Sequence, residues 1–284
     1  MAKIIAIANP KGGVGKTTTA LNLAASLAIA EKSVLLVEMD PNGSLAMGCG
    51  LDERSIKGGV YEIFMGAFDC IDAVHDTELP NLDIIPCHIP THEQEMRLEQ
   101  MSKNRILLKR KLTDLVSKGK IEYDFVIIDT PPSISDLTIA ALYASNSVLI
   151  PMQTGYYSLK VVEKLLAMIQ RIQNGVNPEL KIEGILLNFY EKNTKASQKT
   201  VEESLKKYGD LVFKTMIPKN TAISYAAFER RPLIQLDALA PGAIAFLALA
   251  EEILRKNQPV SWRIEMEPEA VQVAPDPVYL SSIG

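Results

Sequence analysis

Cysteine is scarce in this chain, and the three thiols at Cys49, Cys70 and Cys87 show no CxxC spacing. This argues against a disulfide framework and against a zinc or iron–sulfur site, since both need several cysteines at characteristic spacings. Long hydrophobic runs are also absent, and none approaches the roughly 18 apolar residues of a membrane span. The apolar stretch at residues 4–8 lacks the charged start and cleavage site of a signal peptide. We therefore expect a cytoplasmic chain with reduced, structural thiols.

Short apolar runs alternate with amphipathic segments along most of the chain. The runs predict strands at 3–8, 34–39, 82–86, 125–129, 148–152, 182–188 and 211–217. The segments between them predict helices at 17–30, 92–118, 134–145, 158–174, 195–208 and 242–256. Continuous apolar runs are typical of buried parallel strands joined by helical crossovers. We predict a doubly wound α/β fold with a mostly parallel sheet, helices on both faces and a ligand at the carboxyl ends of the strands.

The alternating pattern stops after Asn257. A length of 284 residues with 47% hydrophobic composition suits one large α/β domain. Residues 259–284 contain four prolines, and one Arg against four acids gives them a net charge of −3. We therefore predict a single domain at 1–257, followed by a flexible, acidic, proline-containing tail at 258–284.

Residues 9–19, NPKGGVGKTTT, nearly match the phosphate-loop pattern G-x-x-x-x-G-K-[ST]. The closing G-K-T is present, whereas Pro10 stands where the opening glycine is expected. The loop lies between a predicted strand and a predicted helix, which is the context that the motif requires. Backbone N–H groups and the positive end of the helix dipole can then bind phosphate oxygens. We predict a nucleotide phosphate site here, with a structural glycine turn as the alternative.

The residues of this loop have separate expected roles. The backbone positions that wrap the phosphates are Gly12, Gly13, Val14 and Gly15. Lys16 is expected to reach the β and γ phosphates, Thr17 to bind Mg²⁺, and Thr18 to contact the α phosphate.

Two acidic residues follow predicted strands beside the loop. Asp129 ends the run in YDFVIIDTPPS, where its carboxylate can hold Mg²⁺ through water. Asp40 in VLLVEMDPNG precedes a Pro-Asn-Gly turn that lifts its carboxylate off the strand end. We expect Asp40 to orient a water molecule and, through water, to approach the metal. The alternatives are a capping role for Asp129 and a plain turn role for Asp40.

A second lysine, Lys11, stands ahead of the glycines. Lys16 already serves the bound nucleotide, and Lys11, at the start of a curled loop, is expected to point away from its own phosphates. A second positive charge at this position makes sense across an interface between two molecules.

These motifs resemble those of the deviant Walker-A ATPases of the ParA/MinD superfamily, and within them the ParA (Soj-like) partition ATPases. The resemblance covers 1–257 and rests on KGGVGKTTTALNLAASLA, VEMDPNGSLAMGCGL, DTPPS, YYSLK and IPKN. It implies a Mg²⁺-dependent hydrolase that converts ATP to ADP and phosphate within an ATP-sandwich homodimer. Lys11 matches the signature lysine that crosses to the partner's phosphates, and Asp40 matches the acid that positions the attacking water. Asn188 and Pro218 match the strand ends on the adenine side.

The resemblance also implies partners. Dimers of such ATPases bind nucleoid DNA without sequence preference, and a centromere-binding or cargo-adaptor protein stimulates their hydrolysis. The task implied is partition or positioning of a chromosome, a plasmid or another cargo, in the cytoplasm at the nucleoid.

Two alternative functions stay open. A MinD-like membrane-cycling switch needs a basic amphipathic C-terminal helix. The predicted helix at 242–256 instead bunches its charges at one end, and an acidic tail follows it, so membrane binding is disfavoured. An ATP-dependent enzyme acting on a small molecule is the second alternative, and Lys11 would be surplus to it.

The chain departs from the family pattern at several positions. Glu38 replaces the first Asp of D-x-D, which lengthens a carboxylate expected near the metal, and Asn42 and Gly155 replace Gln and Glu. These changes leave the hydrolysis rate open. Pro241 occupies the position of the family's DNA-contacting arginine.

Positive charge is concentrated in one part of an acidic chain. Residues 188–231 hold nine Lys or Arg against five Asp or Glu, a local +4, which leaves −8 elsewhere for the net charge of −4. With Pro241 in place of the arginine, we expect DNA phosphates to be contacted by Lys219, Arg230 and Arg231.

Overall fold

The structure, a computed structural model, describes residues 2–118 and 122–257. Its strands are β1 (Lys3–Ile7), β2 (Val34–Glu38), β3 (His75–Asp76), β4 (Leu82–Ile85), β5 (Phe125–Asp129), β6 (Ser147–Gln153), β7 (Lys181–Tyr190) and β8 (Val212–Pro218). They form one eight-stranded sheet in the order β3-β4-β2-β5-β1-β6-β7-β8. All neighbouring strands are parallel except β3 and β4. The predicted doubly wound, mostly parallel α/β fold is confirmed.

Helices cover both faces of the sheet. They are α1 (Lys16–Ile29), α2 (Ser44–Gly48), α3 (Val60–Met65), α4 (His92–Ser102), α5 (Leu107–Lys118), α6 (Asp136–Ala144), α7 (Tyr156–Gln173), α8 (Lys195–Tyr208), α9 (Thr221–Phe228), α10 (Leu233–Leu236) and α11 (Pro241–Asn257). On one face Ile5 of β1 packs in a core with Leu23 of α1 and Phe246 of α11. On the other face Val126 of β5 packs with Leu112 of α5. Burial on two faces explains why the central strands are apolar without alternation.

Strand register brings the polar strand ends together. Asp129 of β5 lies opposite both Ile7 of β1 and Glu38 of β2. On the other side of β1, Gln153 of β6 lies opposite Asn188 of β7. The carboxyl ends of parallel strands meet at one edge of a sheet, so these side chains flank the loop that leaves β1.

The single helix predicted at 92–118 is wrong, because the structure has two helices, α4 and α5, there. The chain turns between them, and the N–H groups of Asn104 and Leu107 donate to the carbonyls of Met101 and Asn104. At the end of α4 the Ser102 hydroxyl donates to the Glu99 carbonyl at 2.7 Å. Serine and asparagine compete with helical backbone hydrogen bonds in this way, which accounts for the break.

Several short elements were not predicted from the sequence. The antiparallel strand β3 has two residues, and α2 has five. Elements of this length are too short to display a hydrophobic period. Within 2–118 and 122–257, no helix combines the length and the apolar character needed to cross a membrane. The tail predicted at 258–284 lies outside the described residues, so the division into domain and tail stays a prediction.

Candidate functional site

The loop from β1 to α1 is shaped by glycines in the left-handed region. Gly13 and Gly15 have φ angles of 70° and 86°, a conformation that glycine adopts without steric cost. A Cβ atom on Gly15 would lie 2.7 Å from Nδ2 of Asn188, so the site also lacks room for a side chain. No side chain caps the start of α1, and its first turn contains no acid. The N-terminal N–H groups of α1 are therefore available for an anion.

Lys16 lies at the start of α1 with only 6% of its surface exposed. Its ammonium Nζ is 3.4 Å from the carbonyl oxygen of Lys11. Burial lowers the pKa of Lys16, while the carboxylates of Asp129 and Asp40 act in the opposite direction. A poorly hydrated ammonium of this kind gains more from a phosphate than an exposed lysine does.

Lys16→Ala is expected to weaken ATP binding by at least about 10- to 150-fold. A hydrogen bond to a charged group contributes about 1.5–3 kcal/mol, and the phosphate charge would also lose its match. Isothermal titration with ATP and Mg²⁺ would measure the affinity. Unchanged affinity in a folded Lys16→Ala protein would refute the assignment of this loop.

The environment of Asp129 fits a magnesium ion. Its side chain is fully buried, and the Thr17 hydroxyl donates to Oδ2 at 2.7 Å. The other oxygen, Oδ1, is buried without a hydrogen-bond partner among the described residues. Burial raises the pKa of Asp129 to about 7, opposed by the Thr17 hydrogen bond. A hydroxyl beside an unsatisfied carboxylate is the oxygen donor set that Mg²⁺ prefers, and a bound cation would hold the carboxylate ionised.

Asp40 lies in the turn that follows β2. Its Oδ1 accepts hydrogen bonds from the backbone N–H of Asn42 at 3.1 Å and from the Asn42 amide at 2.9 Å. Gly43, at φ 65°, completes the turn. The predicted Pro-Asn-Gly turn is confirmed. The partly exposed Asp40 lies near enough to Lys16 and Asp129 for its negative charge to act toward a higher pKa of both groups.

The sequence suggested that the Glu38 carboxylate lies near the metal, but the structure directs it elsewhere. Its buried carboxylate accepts from the Leu45 N–H at 2.6 Å and from the Cys87 N–H at 3.1 Å. Burial raises the pKa of Glu38 to about 8, against the effect of these hydrogen bonds. The longer side chain thus reaches an amide in the first turn of α2 and an amide in the loop after β4, and it links these two segments.

The side chain of Lys11 is directed toward the end of β6. Its Nζ donates to Oε1 of Gln153 at 3.3 Å, and the Gln153 amide nitrogen donates to the Gly13 carbonyl. Asn9 also ties the loop to β6, by donating to the Pro151 carbonyl at 2.8 Å. Gln153 was missed in the sequence, where its only signal was its place directly after the strand predicted at 148–152.

The two residues assigned to the adenine side lie on neighbouring strands. Asn188 is buried near the end of β7, and its Nδ2 donates to the Val14 carbonyl at 2.9 Å and to the Thr19 hydroxyl at 3.1 Å. Pro218 ends β8 and lies opposite Tyr190 in the register. The structure therefore gives Asn188 a role in supporting the loop, and its contact with adenine stays a prediction.

The residues expected to bind DNA are exposed, and two of them form ion pairs. Nζ of Lys219 is 3.3 Å from Oε1 of Glu191, and Nη2 of Arg231 is 2.8 Å from Oε2 of Glu78. Arg230 precedes Arg231 and has a positive φ of 54°. Exposed ion pairs of this kind contribute about 0–1 kcal/mol, so phosphates can replace the carboxylates at little cost.

Pro241 has a structural explanation. It is the first residue of α11, where the N–H that proline lacks would have no helical acceptor. Gly242 follows it and is buried, and an added Cβ there would come within 2.9 Å of Ile223 and Leu233. At the position of the family's arginine, this chain thus has the proline that begins a tightly packed helix.

The fold and the site define a class of protein. The central strand β1 of a mostly parallel sheet leads through a glycine-rich loop with two lysines into a helix, and Thr17 of that helix bonds to the buried Asp129. This is the arrangement of a P-loop nucleoside triphosphatase.

Comparisons with known proteins narrow this class. A family model described as an AAA domain matches residues 2–182. Sporulation initiation inhibitor protein Soj of Bacillus subtilis is 42% identical over 253 residues, which cover 89% of this chain and 98% of that protein. Chromosome partitioning protein ParA of Myxococcus xanthus is 38% identical, over 93% of this chain and 92% of that protein. The chain belongs to the ParA/Soj family of ATPases.

A solved structure shares the fold at somewhat lower identity. Cobyrinic acid a,c-diamide synthase from Mycobacterium smegmatis, with bound ATP analogue and magnesium, superposes with a TM-score of 0.75 at 30% identity. The match covers 90% of this chain and 95% of that one.

Proposed function

We propose that this chain is a Mg²⁺-dependent ATPase that dimerises on ATP and, as a dimer, binds nucleoid DNA without sequence preference. A centromere-binding or cargo-adaptor protein would reset it by stimulating hydrolysis, in the cytoplasm. Its task is to partition or position DNA, of a chromosome or a plasmid, or another cargo. The observation that carries the proposal is the placement of two lysines in one loop: Lys16 is buried at the start of α1, whereas Lys11 is directed away toward β6.

The chain's own residues account for nucleotide binding. Phosphates bind at the backbone of residues 12–15, with Lys16 at the β and γ groups and Thr18 at the α group. Thr17 and, through water, Asp129 would hold Mg²⁺, which would neutralise charge on the phosphates when bound. Asp40 accepts a hydrogen bond from a water molecule and orients it toward the terminal phosphate, and through water it also approaches the metal.

Dimerisation gives Lys11 its function. In a single chain its ammonium donates a hydrogen bond to the amide oxygen of Gln153, which is neutral and does not compensate the positive charge. The phosphates of a nucleotide in a facing molecule are a stronger partner for that charge. A charge supplied in this way would stabilise the transition state of hydrolysis only in the dimer, as an arginine finger supplied in trans does.

The structure disfavours membrane binding through α11. Phe246, Leu249 and Ile253 of this helix are buried in the core that includes α1 and β1. The apolar side of α11 is therefore unavailable to a bilayer.

An ATP-dependent enzyme acting on a small molecule is the second candidate, and the likeness to the diamide synthase favours it. Identity is higher with the Soj and ParA relatives, and Lys11 is surplus in such an enzyme.

DNA binding tests the proposal. If Lys219, Arg230 and Arg231 contact phosphates, a dimer supplies about six contacts, and the logarithm of affinity should fall against log salt with a slope of roughly −5. Fluorescence anisotropy with a labelled duplex would measure it, with ATP and without nucleotide. Binding should be far weaker without ATP, since a monomer has half the contacts.

Charge reversal locates the surface. The double variant Arg230→Glu, Arg231→Glu is expected to lose DNA binding but to keep ATP-dependent dimerisation. Arg255→Glu is a matched control, because Arg255 is an exposed arginine that also pairs with a glutamate, Glu251. DNA binding that survives the double reversal would contradict this surface. A parent protein that binds no DNA at low salt in ATP would contradict the nucleoid model.

A further inference from the structure

Phe189 has an unusual backbone conformation beside the phosphate loop. Its φ angle of 56° lies in the left-handed region, which L residues with bulky side chains seldom adopt. Within the described ranges the other such non-glycine residues are Glu31, Asn81 and Arg230, so Phe189 is the only aromatic among them. Conformations of this kind persist where the surrounding structure holds them, and they cluster at functional sites.

A β-bulge holds Phe189 in place. Leu187 lies opposite Met216, and Tyr190 lies opposite Pro218, so β7 advances three residues while β8 advances two. A bulge of this kind redirects a side chain out of the alternating pattern of a strand.

Both neighbours of Phe189 are fixed by hydrogen bonds. Asn188 bonds to the phosphate loop and α1 through its amide. The Tyr190 carbonyl accepts from the Lys219 N–H at 3.1 Å.

The ring of Phe189 lies against the phosphate loop and is partly open to solvent. Its Cε2 atom is 3.6 Å from the position that a Cβ of Gly15 would occupy, and 39% of the residue is exposed. One edge of the ring therefore packs at the start of α1, and the remaining surface is free to meet a ligand bound there.

The sheet order determines on which side of the loop a nucleoside must lie. Asp40 follows β2 and Asp129 ends β5, both on one side of β1, and Phe189 belongs to β7 on the other side. In the proposed site the terminal phosphate faces the two carboxylates through metal and water. The nucleoside end must then extend away from them, toward β7.

We propose that Phe189 is a stacking platform for the base of the bound nucleotide. The inference rests on the proposed nucleotide site and adds a residue that contacts the base. Aromatic rings stack on any base, because every base presents a π-face. Phe189 therefore strengthens binding of ATP without selecting adenine over guanine.

Paired ligands test the proposal. Phe189→Leu is expected to weaken ATP binding about tenfold, while binding of inorganic tripolyphosphate, which has no base, stays unchanged, both with Mg²⁺. A tenfold loss is about 1.4 kcal/mol, within the range for stacking of one base. Phe189→Tyr, which keeps the ring, should restore the affinity of the parent. Phe228→Leu changes another exposed phenylalanine and should alter neither affinity.

The outcomes separate this inference from the proposed function. Equal losses for ATP and tripolyphosphate would overturn it, since the ring would then only support the loop, and so would an unchanged ATP affinity. A parent protein that binds ATP but no DNA would contradict the nucleoid model and leave the stacking result standing. A parent that binds neither ligand would overturn the nucleotide site and the stacking role together.

A second substitution removes the steric cost together with the ring. Glycine suits a positive φ, so Phe189→Gly is expected to keep or raise the thermal unfolding midpoint while ATP affinity falls by at least as much as in Phe189→Leu. An unfolding midpoint that is kept or raised, together with a lower ATP affinity, would show that the Phe189 ring serves ligand binding and not stability. A lowered midpoint with unchanged ATP affinity would show that the ring only stabilises the fold, and would overturn the proposal.

Discussion

Lys11→Ala is expected to bind ATP as a monomer with the affinity of the parent, to stop forming dimers and to lose about a thousandfold or more in turnover. Residues that act in trans on a transferring phosphoryl group contribute about 10³–10⁵ to kcat. In the single chain Lys11 contacts Gln153, so its loss leaves Lys16, Thr17 and Asp129 in place. Affinity for ATP and catalysis should therefore separate in this variant.

Light scattering after size-exclusion chromatography with ATP and Mg²⁺ would report the dimer, and phosphate release would report turnover. Lys103→Ala, at an exposed lysine after α4, is the matched control and should behave as the parent does. A Lys11→Ala protein that still dimerises and hydrolyses at the parental rate would remove the role across the interface. DNA binding should fall together with dimerisation in the same variant.

Asp40→Ala is expected to bind ATP and dimerise but to hydrolyse about 10²- to 10⁴-fold more slowly, the usual contribution of a positioned acid–base group. The carboxylate that orients water is lost, while both lysines and Asp129 still hold the nucleotide. An ATP-bound dimer that persists is the expected product. Single-turnover hydrolysis, started by adding Mg²⁺ to the ATP complex, would measure the chemical step.

The turn after β2 supplies a control for this variant. Asp40 also bonds to Asn42, so its removal disturbs the turn as well as the chemistry. Asn42→Ala removes the side-chain half of that contact and keeps the carboxylate. If Asn42→Ala slows hydrolysis as much as Asp40→Ala does, the turn rather than the carboxylate matters. If Asp40→Ala matches the parent, another group orients the water.

The sequence predicted what depends on local pattern. Strands buried on both faces are apolar throughout, and the glycines of the phosphate loop are required by its backbone conformation. The sheet and the loop could therefore both be predicted from the sequence. The parallel arrangement predicted that Asp129 lies beside the end of β1, and the pairing of Asp129 with Ile7 confirms it.

Contacts between distant parts of the chain were not predictable in this way. Gln153 meets Lys11 across 142 positions, and Glu38 meets Cys87 across 49. Nothing in the run GILLNFYEK marks a bulge, because the extra residue exists only relative to the pairing of β7 with β8. The position of Phe189 over the loop, and the pairing of Arg231 with Glu78, therefore needed the structure.

The Glu38 carboxylate has a mechanical consequence for the turn that carries Asp40. One buried side chain accepts from Leu45 and Cys87, and separating the two segments would leave its oxygens buried without donors, at a cost of about 1–3 kcal/mol or more. Small displacements are therefore transmitted from one segment to the other, and the pair behaves as one stiff unit. The position of Asp40 is set as much by the chain that leaves β4 as by its own turn.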